Sequence, residues 1–349
     1  MQQRGPAPYA RLALATMLAG VGAVLVLLGI SAVLRAPGGL ARPPASPGPS
    51  NVSLATPAPA SPSPPGSGVV VPSTSPAPSP SPGGDPVLVG AGDIGRCDST
   101  ADDQTAALVA GLPGIVFTLG DNAYERGTAD EYRDCFGPAW GRLKDRIELP
   151  VPGNHDWATD GAAGYRDYFG TTAVRDGQTW YSADVGSWHV VVLDSSCDRV
   201  PGGCGADSPQ VRWLIDDLAA SRARCTLALF HHPRFSSGYH GNDPTVGPLW
   251  DALYAGGADL IVNGHEHSYE RFAPQDPSGA ADDARGITEI IAGTGGADLR
   301  GFGDPVPNSR VRSSLAHGVL SLTLRPPGWA WAFTSVDGSF SDTGTGACH

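Results

Sequence analysis

The stretch IVFTLGDNAY, residues 115–124, runs from an apolar segment into a glycine, an aspartate, an asparagine and then a tyrosine. Such a run reads as a buried strand closed by a turn. Gly-Asp-Asn alone is turn chemistry; a tyrosine three residues after the aspartate is not explained by a turn. The pattern recurs. VLVGAG (87–92) leads into GDIG (92–95), TLALF (226–230) into HHP (231–233), and DLIVN (259–263) into GHEH (264–267). A fifth apolar approach, IELPVP (147–152), runs into GNHD (153–156). Ligands of open α/β sheets bind beyond the carboxyl ends of the strands. Five elements therefore deliver Asp93, Asp121, Asn154, His231, His265 and His267 toward one edge. One Gly-Asp turn or one lone histidine is ordinary structure; the same placement five times points to a site.

Helical segments separate these strands. Val211, Leu214, Ile215, Leu218 and Ala219 follow helical spacing, with Ser208 as N-cap and Pro209 at the first helical position. Val246, Leu249, Trp250, Leu253 and Tyr254 form a second apolar stripe, and both stripes are expected to face a core. HVVVLD (189–194), GVLSLTL (318–324) and WAWAFTSV (329–336) add strands, and no internal repeat is present. The fold class expected is α/β, or α+β in some schemes.

The charge is distributed unevenly. Residues 1–84 hold no Asp or Glu and four arginines, so 85–349 carries all 35 acidic residues against 19 basic ones. This balance disfavours nucleic acid or an anionic lipid surface as partner. An anionic small substrate stays open, because bound cations would invert the local field. After a short basic segment (1–11), residues 12–34 are 23 uncharged, mostly apolar residues. That length spans a bilayer as a helix and exceeds the roughly 7–15-residue apolar region of a cleaved signal. A retained signal anchor is expected, with a cleaved signal peptide as the alternative; the anchor is the only membrane contact expected. Residues 35–84 hold 15 prolines and 10 serines with almost no charge and no aromatic residue, the composition of a disordered tether. The sequon at Asn51-Val-Ser53 falls in this tract. The domain expected to carry the chemistry is 85–349.

The six cysteines, Cys97, Cys135, Cys197, Cys204, Cys225 and Cys348, all lie beyond the apolar segment and include no C-x-x-C pair. Three disulfides in an oxidising compartment are expected, placing the domain outside the cytoplasm, either anchored at the cell surface or secreted. The pairs expected are Cys197–Cys204 as a short loop staple, Cys97–Cys135 and Cys225–Cys348.

Mixed Asp, Asn and His ligands suit first-row cations such as zinc, manganese and iron. Six or seven ligands are too many for one ion. Two metals sharing a bridging carboxylate, about 3.5–4 Å apart, are the natural count, and such pairs clamp the attacking and leaving oxygens of a displacement at phosphorus.

With these blocks the chain resembles the calcineurin-like metallophosphoesterases over essentially all of 85–349. The resemblance implies a four-layer αββα sandwich with a dinuclear metal site at the strand C-terminal ends. Most members open with Asp-x-His, both residues binding metal; here the block is Asp93-Ile94-Gly95, so that histidine is missing. The purple acid phosphatase branch also lacks it and instead carries a tyrosine three residues after the second aspartate. Tyr124 stands there. The resemblance thus implies a first site, typically Fe(III), held by Asp93, Tyr124 and His267, with Asp121 bridging. Asn154, His231 and His265 would hold the second ion, Zn, Mn or Fe(II), through the same bridge. His155 matches the histidine that contacts phosphate and protonates the leaving oxygen. His240, nine residues after His231, resembles a second substrate-facing histidine of plant-type enzymes. NGHEHSYER (263–271) and VDGSFSDTGTGACH (336–349) are also similar to signatures of this branch. Where larger plant enzymes place a β-sandwich domain, this sequence has the proline-rich tract.

A phenolate ligand favours Fe(III), and metal binding can bring the pKa of water to about 7. The expected reaction is hydrolysis of phosphate monoesters by direct attack of a metal-bound hydroxide, an acid phosphatase activity on a small phosphorylated substrate. A phosphodiesterase on the same site is the alternative, and a non-catalytic surface module the alternative of another class. No protein partner is expected. His232 adjoins a ligand and, as a strand residue, is expected to point to the opposite face. Arg271 is expected in a structural salt bridge, GTGG (293–296) as turn or phosphate cradle, and Asp156 as a support of the metals or a turn cap. His189 is expected as a strand residue, and His317 and His349 have no motif context.

Overall fold

The structure is a computed structural model that describes residues 84–349. The segments read above as basic leader (1–11), membrane anchor (12–34) and, up to residue 83, tether lie outside the described residues. Among the described residues no helix is long and apolar enough to cross a membrane.

Thirteen strands are described: β1 Val87–Ala91, β2 Ile115–Thr118, β3 Ile147–Leu149, β4 Tyr181–Val185, β5 Trp188–Val192, β6 Cys225–Leu229 and β7 Leu260–Asn263. They continue as β8 Tyr269–Phe272, β9 Thr288–Ala292, β10 Ser309–Ser313, β11 Gly318–Arg325, β12 Gly328–Ser335 and β13 Ser341–Ala347. Six form one mixed sheet in the order β13-β12-β11-β1-β2-β3, and seven a second in the order β10-β8-β9-β7-β6-β5-β4. The site-bearing strands pair in parallel, β1 with β2 and β6 with β7, so their carboxyl ends share a rim.

Alternation within the apolar runs decides the layering. Leu88, Phe117, Leu227, Leu229, Leu260 and Val262 join Leu320, Leu322 and Trp329 in one core between the sheets. Their chain neighbours Val89, Val116, Ala228 and Ile261 face the other way, against helices. Strands covered on both faces read as continuous apolar stretches rather than alternating ones, as the sequence does here. The result is the expected four-layer αββα sandwich.

The helix Pro209–Ala220 is capped by Ser208, whose side chain accepts from the Val211 N–H. Its buried stripe differs from the expected one. Val211 and Leu214 are buried, but Ile215 is 50% exposed and Ala219 is exposed. Polar residues displace them: buried Gln210 bonds the Asp194 backbone through both amide atoms, and Asp217 accepts from Ser182 while facing His189. The helix is rolled toward these partners. The helix Gly247–Ala255 buries Leu249, Trp250 and Leu253, with Val246 in the turn just before it. Cys97–Cys135, Cys197–Cys204 and Cys225–Cys348 are the disulfides, as paired above. The last ties the start of β6 in one sheet to the chain leaving β13 in the other.

Candidate metal centre

Each apolar strand ends in a sharp bend that swings its polar residue over the rim. Asp93, Asp121 and His265 all adopt left-handed φ, at +59°, +51° and +69°. For non-glycine residues such backbone costs on the order of 1–3 kcal/mol each and persists where surrounding structure over-determines it. Here hydrogen bonds do so: the Asp93 N–H donates to Gly120 O at 3.0 Å and the His265 N–H to Asp93 Oδ2 at 2.8 Å. The adjoining glycines leave the required space. A Cβ on Gly293 would stand 2.5 Å from Asp93 Oδ2, and one on Gly153 would strike the Asp121 carboxylate. GTGG is therefore a closely packed floor under Asp93.

Seven side chains converge in two sets that share one atom. In the first, the Tyr124 hydroxyl lies 2.9 Å from Asp93 Oδ1, 3.3 Å from Asp121 Oδ2 and 3.2 Å from His267 Nε2. In the second, His231 Nε2 lies 3.1 Å from Asn154 Oδ1, 3.2 Å from Asp121 Oδ2 and 3.2 Å from His265 Nδ1. Asp121 Oδ2 thus faces both groups. All the expected metal ligands are brought together. Tyr124 is buried beside Asp93, which answers why the tyrosine follows the turn.

The hydrogen bonds test whether these residues fit cations. His231 Nδ1 sits 2.7 Å from Leu119 O, and His267 Nδ1 2.7 Å from Asp298 O. A carbonyl only accepts, so each Nδ1 carries the proton and each neutral ring turns its Nε2 lone pair inward. Those lone pairs meet the carboxylates of Asp121 and Asp93 and the amide oxygen of Asn154 at 3.1–3.4 Å, contacts that repel unless positive charge lies between them. Protonation is the substitute the protein alone can offer. Burial works against it, yet Asp121 pushes His231 up to about 9. Burial would also raise Asp121, but the imidazoles of His231, His155 and His265 hold it well below the usual carboxylate range. Burial, then Asp93 and Asp121, keep the Tyr124 phenol far above its ordinary value; a hard cation among these oxygens would reverse that. The donor set fits two first-row cations, one oxygen-rich and one nitrogen-rich.

Supporting residues surround the ligands. Buried Asp156 accepts from Gly153 N at 2.8 Å, Asn122 Nδ2 at 2.9 Å and the Tyr132 hydroxyl at 2.6 Å, clamping the GNHD loop to the GDN loop. Burial and the nearby Asp121 push its carboxyl up to about 6. Asn122, a turn residue by sequence, also donates to Val151 O at 2.9 Å. His155 donates its backbone N–H to Asp121 Oδ1 at 2.7 Å, and its Nδ1 lies 2.6 Å from Glu125 O. That leaves Nε2 facing the centre, 3.9 Å from Asp121 Oδ2.

His232 departs from expectation. β6 ends at Leu229, so strand alternation no longer governs residue 232. Its ring lies on the metal side, 4.4 Å from that of His265, with Nδ1 held by Ser195 Oγ at 2.9 Å. Arg271 takes its structural role, paired with Asp342 at 2.6 Å. His240 stacks on His265 with ring centroids 4.2 Å apart, and its Nε2 lies 2.9 Å from the Arg300 guanidinium. Sequence reasoning missed Arg300 and Glu266. Neither stands in a strand-end position that marks the ligands, apart from Glu266 lying between His265 and His267.

A family model described as calcineurin-like phosphoesterase matches residues 88–269. Purple acid phosphatase 18 of Arabidopsis thaliana is 30% identical over 164 residues, 44% of this chain and 36% of that protein. Purple acid phosphatase 15 of the same plant is 27% identical over 218 residues, 52% of this chain and 40% of that one. The chain thus spans less than half the length of these curated relatives. In fold it is similar to the purple acid phosphatase PPD1 from yellow lupin (Lupinus luteus) seeds, with a TM-score of 0.62 at 18% identity, over 77% of this chain and 55% of that one.

Proposed function

The chain belongs to the calcineurin-like phosphoesterase family, and from that membership we propose a purple-acid-phosphatase-type hydrolase of phosphate monoesters. The observation that carries the reading is the meeting of two donor sets on Asp121 Oδ2, with Tyr124 in the first. Asp93, Tyr124 and His267 would hold Fe(III), and Asn154, His231 and His265 would hold Zn, Mn or Fe(II), with Asp121 contributing to both. Two such cations would supply Lewis acidity to a phosphoryl oxygen and lower the pKa of water at the site.

The chain's own groups do the rest. His155, tethered through Nδ1, keeps Nε2 directed at the centre, placed to bind a phosphoryl oxygen and hold the proton the leaving oxygen needs. Asn122 and Asp156 keep the two ligand loops in register. The three disulfides support placement outside the cytoplasm, with segment 12–34 as anchor or signal and 35–84 as tether to the catalytic domain 85–349.

The test is an assay of the disulfide-bonded chain, loaded with iron and zinc or manganese, on an aryl phosphate monoester and a bis-aryl diester. Faster turnover of the monoester is expected. Faster turnover of the diester replaces the reading with a phosphodiesterase, and turnover of neither overturns both.

A further inference from the structure

Arg300 lies beside the metal centre, bonded to the backbone of His267 and to the His240 ring. Arg300 lies in the loop after β9, half-buried, and its backbone N–H donates to His267 O at 2.9 Å. Its guanidinium packs 5.5 Å from the Tyr239 ring centroid and donates to His240 Nε2 at 2.9 Å. Among the described residues it takes part in no ion pair. The contrast with Arg96 is direct, since that guanidinium is neutralised by Asp98, Glu125 and Asp298.

The partner that holds Arg300 is itself held. His240 Nδ1 lies 3.4 Å from Oε2 of Glu266, a buried oxygen with no other hydrogen-bond partner. Glu266 Oε1 accepts from the backbone N–H groups of His240 and Gly241, both at 2.9 Å, and so fixes the loop. A guanidinium has only donors, so His240 Nε2 accepts and its proton sits on Nδ1, toward Glu266. His240 stacks at 4.2 Å on His265, which brings the guanidinium within one side chain of the ligand set. Glu266, His240 and Arg300 form a relay of position that ends in an exposed positive fork.

We propose that Arg300 is the substrate-recognition residue of this centre, binding the unsubstituted oxygens of a dianionic phosphate monoester, with His240 and Glu266 as its positioning residues. The proposal rests on the hydrolase reading above and names what that site selects. Arginine's planar fork matches phosphate oxygens pairwise. A monoester offers a third free oxygen and a second negative charge; a diester carries an ester arm there. Arg300 therefore favours monoesters over diesters. In this role His240 acts through the arginine, since its Nε2 lone pair is occupied.

The test uses the full metal-loaded chain and the variants Arg300→Gln, Arg300→Lys and His240→Gln. Calorimetric titration with inorganic phosphate and kcat/KM on both esters are measured for each. In Arg300→Gln, phosphate affinity and monoester kcat/KM should fall about 10- to 100-fold, the value of hydrogen bonds to a charged group, while diester turnover changes by a smaller factor. Arg300→Lys keeps the charge without the fork and should fall between. His240→Gln should lower the monoester-to-diester ratio in the same direction, which a purely structural role would not do. Unchanged phosphate affinity and an unchanged ratio in Arg300→Gln overturn the proposal. Wild-type protein that turns over neither ester but binds phosphate through Arg300 sinks the hydrolase reading and leaves the anion site standing. Wild-type protein that binds no phosphate sinks the anion site.

Discussion

The parallel strands of the sandwich finish at one end and begin at the other, and the two ends carry opposite kinds of residue. Where β1, β2, β6 and β7 finish, Asp93, Asp121 and His231 are buried and three non-glycine residues hold left-handed backbone. Where β2 and β3 begin, a cavity of about 710 Å³ is bordered by Lys144, Asp145, Glu148 and Asp184, all exposed to water. That cavity is not lined by the ligand set; the rim is where the ligands converge. Buried charge and backbone strain destabilise a fold unless something compensates them, so their concentration at one end marks where a ligand is meant to sit.

The contrast should break along the same line when residues are changed. Asp121→Asn, at the rim, removes the oxygen shared by both donor sets. Turnover should fall on the order of 10³-fold, as for loss of a central electrostatic group, with metal analysis showing fewer than two ions per chain. At the far end, replacing Cys225 and Cys348 with serine opens a bridge spanning 123 residues. Denaturant melts should show a loss of roughly 2–5 kcal/mol, with kcat of the folded fraction unchanged. Asn122→Ala loosens the clamp between the two ligand loops and should weaken metal binding by about 10- to 100-fold, read by competition with a chelator.

The smallest effect expected is one of pH. His189, on β5, directs Nε2 at Asp217 at 2.8 Å and Nδ1 at Asp184 at 3.0 Å. The Asp217 hydrogen bond, against burial, raises its pKa above the ordinary value. A raised histidine binds its proton more tightly in the folded chain. Its contribution is therefore complete below about 6.5, the unfolded value, and fades as pH rises through the folded one. His189→Gln should lower Tm by roughly 2–4 °C at acid pH and flatten the fall toward alkaline pH. Turnover should not change.

Much of this was legible in the sequence because it is local. The layers follow from pairs such as Leu227 and Ala228, adjacent residues that face different cores within one apolar run. The ligands follow from polar residues placed just after strand ends. What escaped depends on contacts between loops far apart in the chain. His232 turned metalward because residues 230–233 had left the strand, and Ile215 was exposed because Gln210 and Asp217 had partners on β5 and beyond it. Arg300 lies 60 residues from His240, a separation at which no motif links them.

We propose that Tyr124 completes an iron site in place of the missing histidine after Asp93. Its most direct test is the visible absorption spectrum of the iron-loaded protein and of Tyr124→Phe, with metal content measured on both. A purple to pink tyrosinate-to-Fe(III) band is expected in the wild-type protein and is expected to be lost in the variant. A band that persists unchanged in Tyr124→Phe, or an iron-loaded wild-type protein with no such band, contradicts it.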